Sequence, residues 1–169
     1  AEEYLIKQNA WNIEKNTTVS ITSESKMIKV AQLRKDISLV AGKPMLIHFT
    51  NSKLGLSFSN RDDVEEIACR GPITPDHVIR TKRIPMIGRD VDKYMKEYTS
   101  YFNTYEPKAK ERKIMLDAAP RVILDKEFGL CAIGKNITEI KIISDLYEHT
   151  MECILRAEKL GGWKALPAS

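Results

Sequence analysis

His48, His77 and His149 are the chain's only histidines. Imidazole is the commonest metal ligand and a frequent acid–base group. A catalytic zinc ion takes three protein ligands and keeps one open position. These three residues are too far apart in sequence to form any local ligand pattern, so only the fold could bring them together. Each taken singly reads more readily as a structural or surface histidine. The thiols Cys69, Cys131 and Cys153 are also widely separated, with no Cys-x-x-Cys pair. An odd number of reduced thiols fits a cytoplasmic protein without disulfides better than a metal cluster. No serine sits in a Gly-x-Ser-x-Gly elbow, the turn that exposes a nucleophilic hydroxyl. Gly129-Leu130-Cys131-Ala132-Ile133-Gly134 lacks the Gly-Lys-Ser/Thr ending of a phosphate loop.

One stretch carries a clearer chemical signal. In residues 70–83, Arg-Gly-Pro-Ile-Thr-Pro-Asp-His-Val-Ile-Arg-Thr-Lys-Arg, a Gly-Pro turn leads into Thr74-Pro75-Asp76, an N-cap followed by proline at the first helical position. Backbone N–H groups at such a helix start attract anions. Arg70, Arg80, Lys82 and Arg83 supply cationic donors suited to phosphate or carboxylate. The same residues read equally well as a solvated basic turn packed on a sheet, and the sequence leaves both readings open.

The elements that would position these groups follow from periodicity. Residues 2–14 look helical and end near Asn16, and 17–25 form a polar, β-branched connector or one short strand. Val30, Leu33, Ile37 and Val40 recur at helical spacing, and Gly42 follows as a stop. Residues 45–49 are an apolar run suited to a buried strand; 54–58 read as strand or helical turn. Residues 62–70 carry acids first and an arginine last, as a helix dipole favours. A short strand fits 84–87. Residues 89–105 are helical, with Val91, Tyr94, Met95, Tyr98, Phe102 and Tyr105 on one stripe that reads as core or subunit contact. Two strands, 120–125 and 129–133, flank Gly129. Asn136 caps the next helix with Glu139 in capping-box position, and Ile140, Ile143, Tyr147, Met151 and Ile154 form its buried face until Gly161-Gly162. The predicted fold class is α/β, with strands 45–49, 120–125 and 129–133 in one sheet and helix 137–160 across it.

At 169 residues the chain is long enough for one domain with a full core. A net charge of +4 is too mild and scattered to argue for nucleic acid. No apolar run approaches the ~20 residues of a membrane span. Ala1-Glu2-Glu3 enters a helical pattern without a cap, which reads as a piece of a longer polypeptide. Residues 1–25 are then the terminal helix and connector of a preceding module, and 26–169 the domain itself.

Two motifs carry a family resemblance. The frame Pro120 to Glu139 (apolar strand, Glu127-Phe128-Gly129, apolar strand, Gly134-Lys135-Asn136, Glu139, helix) resembles the class II sugar-phosphate aldolase (aldolase/adducin) family, whose frame reads Asn-His-Gly at the turn. The 70–83 segment and the closing 145–166 stretch resemble bifunctional rhamnulose-1-phosphate aldolase/short-chain dehydrogenase proteins. The resemblance covers about residues 27–166. It implies a three-layer α/β/α fold with a mixed, largely antiparallel central sheet. It also implies a degenerate metal site: Phe128 stands where the family has a zinc-ligating histidine, and the family's His-x-His falls on His48 and Thr50. A phenyl ring has no lone pair for a metal, and the family's chemistry needs the metal as a Lewis acid. The expectation is a domain with no catalytic residues and no metal or other cofactor of its own. Zinc and NAD(P) belong to the parent protein, and flanking aldolase and dehydrogenase modules, a homo-oligomer and a possible sugar phosphate are the expected partners. No nucleic-acid or membrane partner is expected. The alternative is an aldolase with a relocated metal site using His48, His77 or His149 with a carboxylate such as Glu127.

Overall fold

Residues 120–134 supply the middle of the sheet, because both of their strands are apolar on both faces. A computed structural model describes residues 2–13, 24–50 and 52–166. Four strands, β1 (Leu46–Phe49), β2 (Met86–Ile87), β3 (Val122–Asp125) and β4 (Gly129–Gly134), form one sheet in the order β1-β4-β3-β2. β3 and β4 make an antiparallel hairpin with Asp125 opposite Gly129 and Val122 opposite Ala132. β1 adds antiparallel to β4, and β2 adds parallel to β3. Buried on both sides, β3 and β4 read as continuous apolar runs rather than alternating ones.

Side-chain alternation divides those runs between two cores. Val122, Leu124, Leu130 and Ala132 pack on one face with Ile140, Ile143, Tyr147, Met151 and Ile154. These last five lie on α7 (Ile137–Lys159), the long helix that crosses the sheet as the sequence pattern requires. α3 (Lys53–Ser59) and α4 (Val64–Ala68) complete that layer. Ile123, Cys131 and Ile133 face the other way, onto Leu33 and Ile37 of α2 (Glu24–Ala41) and Val91 and Tyr94 of α6 (Val91–Tyr105). The result is the expected three-layer α/β/α arrangement on a mixed, largely antiparallel sheet.

Capping follows the sequence closely at α7. Asn136 Oδ1 accepts from the Glu139 N–H at 2.8 Å, while Glu139 reaches back to the N–H of Lys135 at 2.7 Å. Residues 54–58, ambiguous in sequence, are helical: Ser52 Oγ caps α3 by accepting from the Gly55 N–H. A Cβ at Gly55 would stand 2.9 Å from Leu130 Cβ, so glycine lets α3 lie directly on β4.

The amino-terminal helix is shorter than its sequence pattern suggests. The helix expected over 2–14 is α1, Glu2–Lys7, followed by turns in which Asn9 takes φ 51°. Asn16 and the connector lie outside the described residues, apart from Glu24 and Ser25, which begin α2. The turns are held from the other end of the chain. Lys159 Nζ donates to the carbonyls of Asn9 and Asn12, the Arg156 guanidinium lies 4.5 Å from the Trp11 ring, and Ala10 is fully buried.

Candidate functional site

The β3–β4 turn is built by one carboxylate. Asp125 Oδ1 accepts from the backbone N–H groups of Glu127 and Phe128 at 2.8 and 2.9 Å, an Asx turn. Gly129 then takes φ 69°, a conformation that favours glycine. This places the Phe128 ring in the core, edge-on to Phe49 at 5.1 Å between centroids. The other side of the ring is covered by the Arg89 guanidinium, 4.1 Å from its centroid. Arg89 is held by a two-pronged ion pair to Asp125 at 2.8 Å per bond and a third bond to Glu127 at 2.7 Å. Glu127 also pairs with Lys29 at 3.1 Å and Lys26 at 3.9 Å. The Arg89 hydrogen bond, with support from Lys29, holds the Glu127 carboxyl below its ordinary range. The bonds to Asp125, with Glu127 adding to them, push the already basic guanidinium higher still.

The three positions that the resemblance assigns to metal do not make a metal site here. Phe128 offers no donor, and its ring is capped by a cation. The Thr50 hydroxyl donates to the Leu130 carbonyl at 3.4 Å. His48 lies exposed on β1. It shares the parity of Leu46, which packs with the α7 core, whereas Phe128 belongs to the opposite core. The alternative set is not assembled either. His77 sits in a short 3-10 turn, Pro75–His77, with its Nδ1 buried and without a hydrogen-bond partner. His149 lies on α7 beside Cys153, 3.5 Å from its Sγ, and Glu127 is committed to Arg89 and Lys29. Among the described residues no three His, Cys, Asp or Glu side chains are grouped to hold a metal ion. A family metal therefore does not fit these residues.

The four cations of the basic segment point to different partners. Arg70 donates to Glu158 and Glu66, each at 2.6 Å, and to the Trp163 carbonyl at 2.8 Å, tying α4 to the end of α7. Arg83 donates to the Arg70 carbonyl at 3.0 Å and lies 5.6 Å from the Tyr101 ring. Arg80 projects into solvent from α5 (Val78–Thr81). Thr74 makes no side-chain cap. Opposite charges close by satisfy Arg70, and burial takes Lys82 elsewhere, so the geometry is that of a packed hinge.

Lys82 is the residue whose setting the sequence did not signal. It is only 3 % exposed, with φ 61° and ψ −179°, a backbone region that L side chains rarely adopt. Its Nζ donates to the Asp117 carbonyl and lies 3.7 Å from the Tyr98 ring centroid. The Asp117 carboxylate is engaged by Arg121 at 2.7 and 2.9 Å and by Lys43 at 3.2 Å. Burial first, then repulsion from Arg121, lowers the Lys82 ammonium to about 7. The thiols move the other way. Burial raises Cys69 to about 11 and also raises Cys131 and Cys153, so none is an activated nucleophile.

With the geometry in place, the comparisons fix the family. A family model described as "Aldolase class II, second domain" matches residues 24–169. The chain belongs to that family. This aldolase class II second domain is also 25% identical over 141 residues to a Bacillus subtilis (strain 168) protein named "Uncharacterized oxidoreductase YuxG". The match covers 73% of this chain but 20% of the relative, so the chain spans about one fifth of that protein's length. No solved structure matches it. Among the described residues of the second domain, no helix is long and apolar enough to cross a membrane.

Proposed function

We propose that this domain is a noncatalytic aldolase-like module within a longer polypeptide that joins a sugar-phosphate aldolase, of the rhamnulose-phosphate type, to a short-chain dehydrogenase. Its role there is to assist assembly or to complete a neighbouring site. The observation that carries this reading is the β3–β4 turn, where Phe128, at the position the resemblance gives to a zinc-ligating histidine, is packed into the core and covered by Arg89. A fixed guanidinium pairs with Asp125 and Glu127, and its own charge repels a divalent ion. The family match supports the aldolase half of the proposal. The oxidoreductase name of the longer relative is consistent with a fusion to the other half. Zinc and NAD(P), on this reading, are held by the flanking modules.

The test has two parts. Elemental analysis of the purified chain should find well under one zinc per chain, and added zinc should not confer cleavage of rhamnulose 1-phosphate. Sedimentation of the chain with the adjoining aldolase region should then show a complex. Stoichiometric zinc lost on replacing His48, together with cleavage activity, would establish instead an aldolase with a relocated metal site. Failure to associate would remove the assembly role.

A further inference from the structure

We infer that His149 and Cys153, side by side on α7, form a capture site for monovalent copper, with one imidazole and one thiolate as its protein donors. The inference does not rest on the assembly role. Phe128, the position that the resemblance gives to zinc, belongs to the core on the opposite side of the sheet from α7, so the two places share no residue.

The helix builds the pair. Four residues apart, the two side chains lie one above the other on one face of α7. Tyr147, Met151 and Ile154, interleaved with them, are buried against the sheet and fix this stretch of backbone. His149 is exposed and Cys153 half-buried, so an ion reaches both from solvent. Cys153 Sγ stands 3.5 Å from His149 Nε2. With metal–sulfur and metal–nitrogen bonds of about 2.3 and 2.0 Å, donors at that separation subtend about 109° at a shared ion, an ordinary coordination angle. When no ion is bound, a thiol S–H donating to the ring nitrogen accounts for the same distance.

The donor types select the ion. Thiolate sulfur is soft and favours monovalent copper, zinc and iron–sulfur clusters, and imidazole also suits copper and zinc. Zinc takes three or four protein ligands, and among the described residues no third His, Cys, Asp or Glu joins this pair. Monovalent copper, with a single charge to neutralise, is held by as few as two soft donors. The surrounding charge also favours a cation. From Asp145 to Arg156 the helix carries three carboxylates, Asp145, Glu148 and Glu152, against one guanidinium, and Arg156 is paired with Glu152 at 3.0 Å. Binding needs no redox partner. The Cys153 thiol gives its proton to solvent, the sulfur and Nε2 lone pairs bond to copper, and no electron is transferred.

The experiment titrates the whole chain, reduced and under nitrogen at pH 7, with the acetonitrile complex of copper(I). A near-ultraviolet thiolate-to-copper band should grow to about one ion per chain, with about one proton released per ion. Back-titration with bicinchoninate, which colours on taking copper(I), then ranks the variants. His149→Ala and Cys153→Ser should each weaken binding at least about tenfold, whereas Cys69→Ser should change it by less than about twofold. Circular dichroism checks that each is folded, and His149→Gln and Cys153→Ala serve as second variants at the two positions. Absence of the band overturns the proposal. So does binding that survives in folded His149→Ala, the mark of a lone thiol, or binding that follows Cys69 instead.

Discussion

Replacing Arg89 with methionine tests how the β3–β4 turn is held. The substitution keeps most of the aliphatic stem but removes three charge-assisted bonds and the cation over Phe128. Asp125 is 5 % exposed and would be left as a buried carboxylate without its counter-charge. Breaking a fully buried pair costs about 3–5 kcal/mol. Here Asp125 keeps two backbone N–H donors, and the Arg89 side chain is 29% exposed, so water reaches part of the pair. Those two facts reduce the expected loss to about 2–3 kcal/mol, and the lost cation–π contact adds about 0.5–1 kcal/mol. The total is about 3 kcal/mol, or a fall in Tm of roughly 6–12 °C for a domain of this size. Urea denaturation at pH 7, followed by circular dichroism, reads it directly. Arg89→Lys keeps the charge but not the two-pronged geometry, and should recover less than half of the loss. The decisive variant is Arg89→Met with Asp125→Asn. If uncompensated charge dominates the penalty, the second substitution restores part of the stability. An Arg89→Met protein within about 0.5 kcal/mol of the parent, or a double variant weaker than the single, would refute the reasoning.

Three further outcomes are expected. Phe128→His should bind zinc weakly, because Arg89 lies over the ring position; adding Arg89→Met, which also frees Asp125 and Glu127, should raise the affinity at least about tenfold, read by competition with a chromogenic chelator. Stability between pH 6.5 and 8.5 should rise more steeply in the parent than in Lys82→Met. The folded ammonium is lowered to about 7 whereas the unfolded one stays near 10.4, so the unfolded chain binds more protons in that window and this contribution is lost as pH falls through about 7. Equal slopes in denaturation series at several pH values would contradict the burial of Lys82. Inorganic phosphate should not stabilise the parent beyond a chloride control of equal ionic strength, nor should Arg80→Ala change its effect; a saturable rise in Tm abolished by Arg80→Ala would reinstate an anion site.

The parts of the fold that were legible in the sequence are those in which local pattern and burial agree. The α7 stripe, its Asn136–Glu139 cap and the apolar runs around Gly129 each declare themselves within a few residues. Leu54, Leu56 and Phe58 alternate as a strand would, yet form a helix because Ser52 caps it and Gly55 permits contact with β4. The site was less legible. That Phe128 lacks a metal donor is plain from its chemistry, but the Arg89 that covers it is distant in sequence and meets it only through the parallel β2–β3 pairing. Lys82 was hidden for a different reason. In Arg80-Thr81-Lys82-Arg83 it reads as one more surface cation, and only the positive φ turns its side chain inward toward Asp117.

The strand order has a consequence for how the chain is made. β1 and β2, encoded first, are the two edges of the sheet, and the central strands β3 and β4 arrive only after residue 121. During synthesis of this domain its apolar edge strands β1 and β2 therefore precede the central strands they pair with among the described residues. Each must wait for a hairpin still to be translated, and unpaired strand edges of that kind are where aggregation begins. The β3–β4 hairpin and α7, by contrast, are contiguous and can associate as soon as they emerge. Within this domain, the template for the two earlier edge strands is thus a hairpin made after them.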